Sequence, residues 1–266
     1  MARAGAVLLD IDGTLTDGVG GPALEGAVAA AQELARRFPV RYVTNTTSWT
    51  RAALEQALVR EGFPLPEGAL ITPSVLARAV LTERGDDCGV LLADPGARED
   101  LAWYRKTNPG EARSVLVATE GHGLTIRKLG PAVTALLGGA RLYTLQQNRV
   151  FRRGGQLVTD LGPVAAFLGY AANTTWENLG KPSRLLFESI ARELRLGLDA
   201  LVMVGDDAEF DVAGALAAGC GAGVLVRTGK HRPGDENKFK PRPTLVLDSV
   251  ADLPRALAVR DAANRI

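Results

Sequence analysis

The chain has 266 residues, 46% of them hydrophobic and 23% charged, the balance of an ordinary soluble globular protein. That length suits one large domain, or a core with a smaller domain inserted. A formal charge of +1 supplies no electrostatic footprint for nucleic acid or an anionic membrane surface, and no run reaches the roughly 18 uninterrupted apolar residues of a membrane span.

Met1-Ala2-Arg3-Ala4-Gly5 leads straight into a core-type strand, Val7–Leu9. A cleavable signal would destroy that strand, so a cytoplasmic location is expected. The strand ends in Asp10-Ile11-Asp12-Gly13-Thr14. Strand side chains alternate with period two, so Asp10 and Asp12 are expected to face the same way. Two carboxylates held together raise one pKa unless a cation lies between them, and hard oxygen donors suit a divalent one.

An Ala-rich helix opened by proline is expected over Pro22–Arg37, then a strand over Val40–Thr44 that ends in Thr44-Asn45-Thr46-Thr47. Thr50–Glu61 reads as a helix stopped by Gly62. Residues 74–175 carry their own alternation. Strands are expected at Cys88–Ala93, Ser114–Ala118 and Arg141–Leu145, with helices at Arg98–Lys106, Thr125–Leu137 and Val164–Ala172. A stretch that can bury its own apolar faces should be a small α/β domain, not a long loop. Residues 1–73 and 176–266 then form the main domain, and its pattern resumes with a helix over Ser183–Leu196 and a strand over Leu201–Val204. The rest reads as a helix over Asp211–Ala218, strands at Gly223–Val226 and Leu245–Leu247, and a helix over Val250–Val259. This strand–helix alternation predicts an α/β fold with a mostly parallel sheet. Cys88 and Cys220 read as buried thiols, and His122 and His231 are too far apart to form a metal-binding spacing.

Four polar clusters sit at strand ends or just before a helix, the edge where open α/β sheets bind ligands. They are Asp10/Asp12, Thr44-Asn45, Gly180-Lys181-Pro182-Ser183, and Gly205-Asp206-Asp207 with Asp211 beyond. Each has a plain reading alone: a turn, a helix cap, a solvated lysine. Their ordered combination matches a phosphoryl-transfer site, which needs a nucleophile, an acid/base, a metal and groups to hold phosphoryl oxygens.

At these residues the chain resembles the haloacid dehalogenase-like phosphatase superfamily. Leu9-Asp10-Ile11-Asp12-Gly13-Thr14, Val43-Thr44-Asn45, Gly180-Lys181-Pro182 and Gly205-Asp206-Asp207 with Asp211 look like its four motifs, in order. The insert between the second and third motifs matches the family's C2-type cap. Arg41-Tyr42-Val43-Thr44-Asn45-Thr46-Thr47 and Val226-Arg227-Thr228-Gly229-Lys230 are closest to the nucleotide-, pyridoxal- and phospholysine/phosphohistidine-type phosphatases.

The resemblance implies a Rossmann-like core with an inserted cap and a Mg2+-dependent phosphatase acting on a small phosphorylated metabolite. It makes Asp10 the nucleophile and a metal ligand, and Asp12 the acid/base, which also gives the metal its backbone carbonyl. Asp206 becomes the other metal ligand. Thr44, Asn45 and Lys181 hold the phosphoryl group, and Asp207 and Asp211 act from behind the ligands. Some members carry Ser at the second acid, whereas this chain keeps Asp12, which favours poor leaving groups such as phosphate esters. Pyrophosphate or phosphoamide hydrolysis is the alternative within the family.

A phosphoaspartate receiver-like signalling protein also uses an acid cluster, Thr/Ser, Lys and Mg2+, but has no cap and needs no acid two positions after the acceptor. A metal-dependent glycosyltransferase carries its Asp-x-Asp well inside the chain. Members of the family often dimerise through the cap, so a homodimer is one expected state. His122, Arg149 and Arg152 are candidate substrate contacts in the insert, while Tyr170 and Trp176 read as packing residues.

Overall fold

The computed structural model describes residues 4–121, 123–153 and 156–263. By its internal contacts the chain divides into two units. One comprises residues 1–44, 51–71 and 181–266, and the other residues 45–50 and 72–180.

The first unit is built on six parallel strands: β1 (Ala6–Leu9), β2 (Val40–Val43), β3 (Leu70–Ile71) and, from later in the chain, β11 (Leu201–Gly205), β12 (Ala222–Val226) and β13 (Leu245–Leu247). Their order across the sheet is β13-β12-β11-β1-β2-β3. β1 pairs with β2 on one side and with β11 on the other, Leu9 lying opposite Tyr42 and Val204. The chain therefore runs outward from β1 in one direction and returns to build the other half. A crevice opens at such a reversal, beyond the carboxyl ends of the two central strands.

Val7, Leu9, Val202, Val204, Val224 and Val226 pack in one buried cluster with residues of α1 (Ala27–Ala35), α2 (Arg51–Glu61) and α9 (Leu253–Ala263). Leu225, alternating with its neighbours, packs instead with Ala208 and Val212. The strands are apolar in unbroken runs because both faces of a parallel sheet are covered. α6 (Arg184–Leu194), α7 (Gly214–Ala218) and α8 (Asp235–Lys238) complete this unit.

The second unit has five parallel strands, β4 (Cys88–Ala93), β5 (Arg105–Lys106), β6 (Ser114–Ala118), β7 (Arg141–Thr144) and β10 (Trp176–Asn178), in the order β10-β7-β6-β4-β5. β8 (Val150–Arg153) and β9 (Gln156–Thr159) pair antiparallel. Its helices are α3 (Pro73–Arg84), α4 (Gly130–Leu137) and α5 (Leu161–Ala172). No described helix is long and apolar enough to cross a membrane. Both cysteines are free and buried.

Three expected elements differ. The helix expected from Pro22 starts at Ala27, because the chain before it folds back: Asp17 N–H donates to Pro22 O and Leu24 N–H to Leu15 O. Gly26, at φ 73°, takes the left-handed turn that lets the helix begin. Arg98–Lys106 is not a helix. Leu101 and Tyr104 are buried, but the segment runs through tight turns and ends in β5, pairing Arg105 with Cys88. Their i, i+3 spacing serves a short turn as well as a helix. Asp211–Ala218 is split, a π-helical turn over Ala208–Ala213 preceding α7. Tyr170, expected to pack, is 90% exposed on α5, whereas Trp176 lies against Gly169.

Tyr42 ties β2 to the chain that follows it. Its ring is fully buried edge-on to Phe63, and its hydroxyl donates to Pro64 O at 2.7 Å. Tyr42→Phe leaves that carbonyl without its donor and is expected to cost about 1–2 kcal/mol in chemical denaturation. An unchanged unfolding midpoint would contradict this.

Candidate active site

The site lies at the carboxyl ends of the central strands. Asp10 directly follows β1, Asp206 directly follows β11, and Thr44 directly follows β2. Lys181 precedes α6, and Asp211 lies in the π-helical turn that follows Asp207. Asp10, Lys181, Asp206 and Asp211 are all buried, none more than 5% exposed.

One carboxylate oxygen from each of Asp10, Asp206 and Asp211 lies within 4.8 Å of the others. Lys181 Nζ sits between two of them, in contact with Asp10 Oδ1 and 2.7 Å from Asp211 Oδ1. Thr14 Oγ1 donates to Asp10 Oδ2 at 3.1 Å. Both oxygens of Asp10 are therefore engaged by donors, which fixes the orientation of its carboxylate.

Local sequence makes room for this crowding. A Cβ on Gly205 would overlap the Asp211 carboxylate, so only glycine fits before Asp206. A Cβ on Gly214 would overlap Pro182, so a small residue also lets the start of α7 approach the Lys181-Pro182 turn. Asp207 caps the π-helical turn by accepting from Glu209 N–H and Phe210 N–H, each at 3.0 Å. Its own N–H donates to Asp211 Oδ2 at 3.2 Å. Asp207 thus holds Asp211 through the backbone, while its carboxylate caps the turn through Oδ1 and pairs through Oδ2 with Lys230 Nζ at 3.5 Å.

Charge in this space is unbalanced. Burial pushes the Asp206 carboxyl up to about 8, with the Asp10 and Asp211 charges adding to the effect. Burial also raises Asp211, to about 7, against the opposing pull of Lys181. Burial works against the Lys181 ammonium, but Asp10 and Asp211 outweigh it and hold its pKa above the ordinary lysine value. Asp206 Oδ1 is buried and has no hydrogen-bond partner among the described residues. Three hard carboxylate donors, one with a buried oxygen left over, fit a divalent cation.

The two acids at the end of β1 have different partners. The strand stops at Leu9, so period-two alternation does not carry through Asp12. The Asp10 carboxylate joins Asp206 and Asp211, whereas the Asp12 carboxylate accepts from Thr44 Oγ1 at 3.4 Å. Thr44 is buried and belongs to the first unit. Asn45 falls in the second unit, where its Oδ1 would lie 2.6 Å from a Cβ placed on Gly180. Of the candidate contacts in the insert, Arg149 is exposed, and His122 and the side chain of Arg152 lie outside what the structure describes.

A further contribution, not expected of the site, comes from the loop after β12. Lys230 N–H donates to Asp206 Oδ2 at 2.6 Å, and Thr228 Oγ1 donates to Gly13 O at 2.6 Å. The signal was the Thr228-Gly229 pair one residue beyond a buried parallel strand, at the edge of the sheet where ligands bind.

Comparison with known proteins agrees with this architecture. A family model described as haloacid dehalogenase-like hydrolase matches residues 7–104, and one described as HAD-hydrolase-like matches residues 178–253. The bovine (Bos taurus) phospholysine phosphohistidine inorganic pyrophosphate phosphatase is 35% identical over 257 residues, covering 95% of this chain and 93% of that protein. Bovine haloacid dehalogenase-like hydrolase domain-containing protein 2 is 34% identical, covering 92% of each chain. Among solved structures, the p-nitrophenyl phosphatase from Archaeoglobus fulgidus superposes with a TM-score of 0.86 at 21% identity, over 96% of this chain and 99% of that one. That likeness carries the fold, and the closer bovine relatives carry the lineage. Together with the acid cluster at the crevice, they make this chain a member of the haloacid dehalogenase-like hydrolase family.

Proposed function

We propose that the protein is a Mg2+-dependent phosphatase that hydrolyses a small phosphorylated metabolite through an aspartyl-phosphate on Asp10. The observation that carries this reading is the Asp10 carboxylate itself. It is buried, held by Lys181 and Thr14, and set beside two further carboxylates at the carboxyl ends of the central strands.

In the first step an Asp10 oxygen attacks phosphorus while the bond to the leaving oxygen breaks, and Asp12 gives its proton to the departing alkoxide. In the second, Asp12 takes a proton from water as the water oxygen attacks phosphorus. The bond to Asp10 then breaks, inorganic phosphate leaves, and both acids return to their starting states. Lys181 is a point charge beside the nucleophile, and it binds the phosphoryl oxygens together with Thr44 and Asn45. Asp10 and Asp206 would hold the cation, with the Asp12 carbonyl as a further donor, and Asp207 and Asp211 would act from behind. When bound, Mg2+ neutralises repulsion between these carboxylates and the phosphate dianion. Residues 74–175 serve as a C2-type cap that excludes water and selects the substrate, and residues 1–73 and 176–266 as the catalytic core.

Pyrophosphate or phosphoamide hydrolysis at the same site is the second reading, favoured by the similarity to a bovine relative named for those substrates. A panel of sugar phosphates, nucleotides, pyridoxal phosphate, pyrophosphate and phosphoamino acids separates the two. An aspartyl-phosphate that persists for minutes, without ester turnover, would point instead to a receiver.

With p-nitrophenyl phosphate and Mg2+, Asp10→Asn is expected to lower turnover by about 10³-fold or more. Asp12→Asn is expected to lower kcat by about 10²–10⁴-fold, because one group serves as acid and then as base. Near wild-type turnover by Asp10→Asn would overturn the reading.

Metal and proton compete for the same carboxylates. The Asp206 pKa lies above its ordinary value in the folded protein, so the folded state keeps a proton that the unfolded chain has lost. That contribution to stability is complete below the ordinary carboxyl pKa and disappears as pH rises through about 8. Without metal, the thermal midpoint is therefore expected to fall as pH rises across this window. Mg2+ should raise the midpoint more at about pH 8.5 than at about pH 6, since it binds the deprotonated form. Asp206→Asn should flatten both dependences, and an equal Mg2+ response at both pH values would count against the cluster as its site.

A further inference from the structure

The Val226-Arg227-Thr228-Gly229-Lys230 segment has no step in the chemistry above, yet its backbone reaches the acid cluster. Gly13, between Asp12 and Thr14, has φ 86°, and Gly229 has φ 57°. A Cβ on Gly13 would overlap Asp206 Oδ2 and come within 2.9 Å of Gly229 Cα. A Cβ on Gly229 would overlap the same oxygen and lie 2.6 Å from Gly13 Cα. Two bare backbones therefore meet over one carboxylate oxygen, in conformations that favour glycine at both positions.

This contact is fastened on either side. Thr228 Oγ1 donates to Gly13 O, and Lys230 N–H donates to Asp206 Oδ2, each at 2.6 Å. Oδ2 is thereby turned toward the loop, and the buried Oδ1 is the oxygen left to face a cation. Thr228 is half-buried, while Gly229 and Lys230 are exposed. The loop thus acts from the rim and does not belong to the hydrophobic core.

We propose that Thr228, Gly229 and the Lys230 amide form a positioning clasp, which locks the Asp10–Thr14 turn to the loop after β12 and orients Asp206 for the divalent cation. The clasp makes no contact with substrate in this role. Thr228 acts through Gly13, and Gly229 acts by the absence of a side chain. The inference rests on the phosphatase reading for its metal, but its own prediction concerns affinity and not turnover. Loss of a hydrogen bond that orients a metal ligand typically weakens metal binding about 10–100-fold.

Isothermal titration of the intact chain with Mg2+, without substrate, tests this directly. Thr228→Val removes the hydroxyl donor and keeps the shape, and it is expected to raise the Mg2+ dissociation constant about tenfold or more. Its metal-free thermal midpoint should move by no more than about 4 °C, the effect of one lost hydrogen bond. At saturating Mg2+ the KM for p-nitrophenyl phosphate should stay at the wild-type value. Thr228→Ser, which restores the donor, should recover wild-type affinity. Should Thr228→Val fail to fold, Thr228→Ala removes the same donor without branching and is judged by the same constant.

A donor-less variant that binds Mg2+ within about twofold of wild type, while the wild type binds Mg2+ and turns over ester, overturns the clasp alone. A wild-type protein that neither binds Mg2+ nor turns over ester overturns the phosphatase reading, and the clasp with it.

Discussion

Three carboxylates buried around a single lysine are the constraint on which the rest of this structure depends. Asp10, Asp206 and Asp211 approach within 4.8 Å, and Lys181 is the one buried cation touching them among the described residues. Like charges at that range inside a protein are strongly unfavourable unless a proton or a metal intervenes. The raised Asp206 and Asp211 carboxyls are the proton's answer to that imbalance. A divalent cation is the other answer, and it leaves the carboxylates free to act at neutral pH. The same imbalance thus ties the protonation of these acids to the folding of the sheet that carries them.

Holding that cluster requires precise backbone, and the sheet supplies it. β1 and β11 come from opposite ends of the sequence but lie side by side, four residue pairs in register. Asp10 N–H continues the pairing by donating to Val204 O, so the backbone of Asp10 is part of the sheet's hydrogen bonding while its side chain joins the acid cluster. The glycines do the remaining work. Gly205 admits Asp211, and Gly13 and Gly229 admit each other. The loops of the site are anchored by strands at one end and by packed backbone at the other.

The core was largely legible in the sequence for the same reason. Val7–Leu9, Leu201–Val204 and Gly223–Val226 are unbroken apolar runs ending in polar or glycine residues, and a strand covered on both faces has few other ways to look. The acids, Thr44 and Lys181 were visible because each ends such a strand or opens a helix. What the sequence hid was decided by contacts remote along the chain. Leu24 pairs with Leu15 and delays α1, and Arg105 pairs with Cys88 where a helix was expected. The partners of Asp12 were equally remote: its carboxylate accepts from Thr44 at the end of the neighbouring strand. The Val226–Lys230 segment stood out in the sequence, but not what it holds: a backbone amide and a threonine hydroxyl do not reveal their acceptors, Asp206 and Gly13, before the chain is folded.

The π-helical turn sets a different kind of limit on this chain. Val212 N–H reaches back five residues to Asp207 O, so the segment carries one more residue per turn than an α-helix would. Asp211 faces the cluster only with that extra residue in place. Removing one residue between Asp207 and Asp211 would rotate the carboxylate by about 100° around the helix axis. Glu209 and Phe210, in contrast, contribute their backbone N–H groups to the Asp207 cap. Composition is open in this segment only at the half-buried Glu209 and Phe210, whose backbones do the capping, whereas length is fixed throughout: an inserted or deleted residue would turn Asp211 away from the cluster and Val212 away from Leu225.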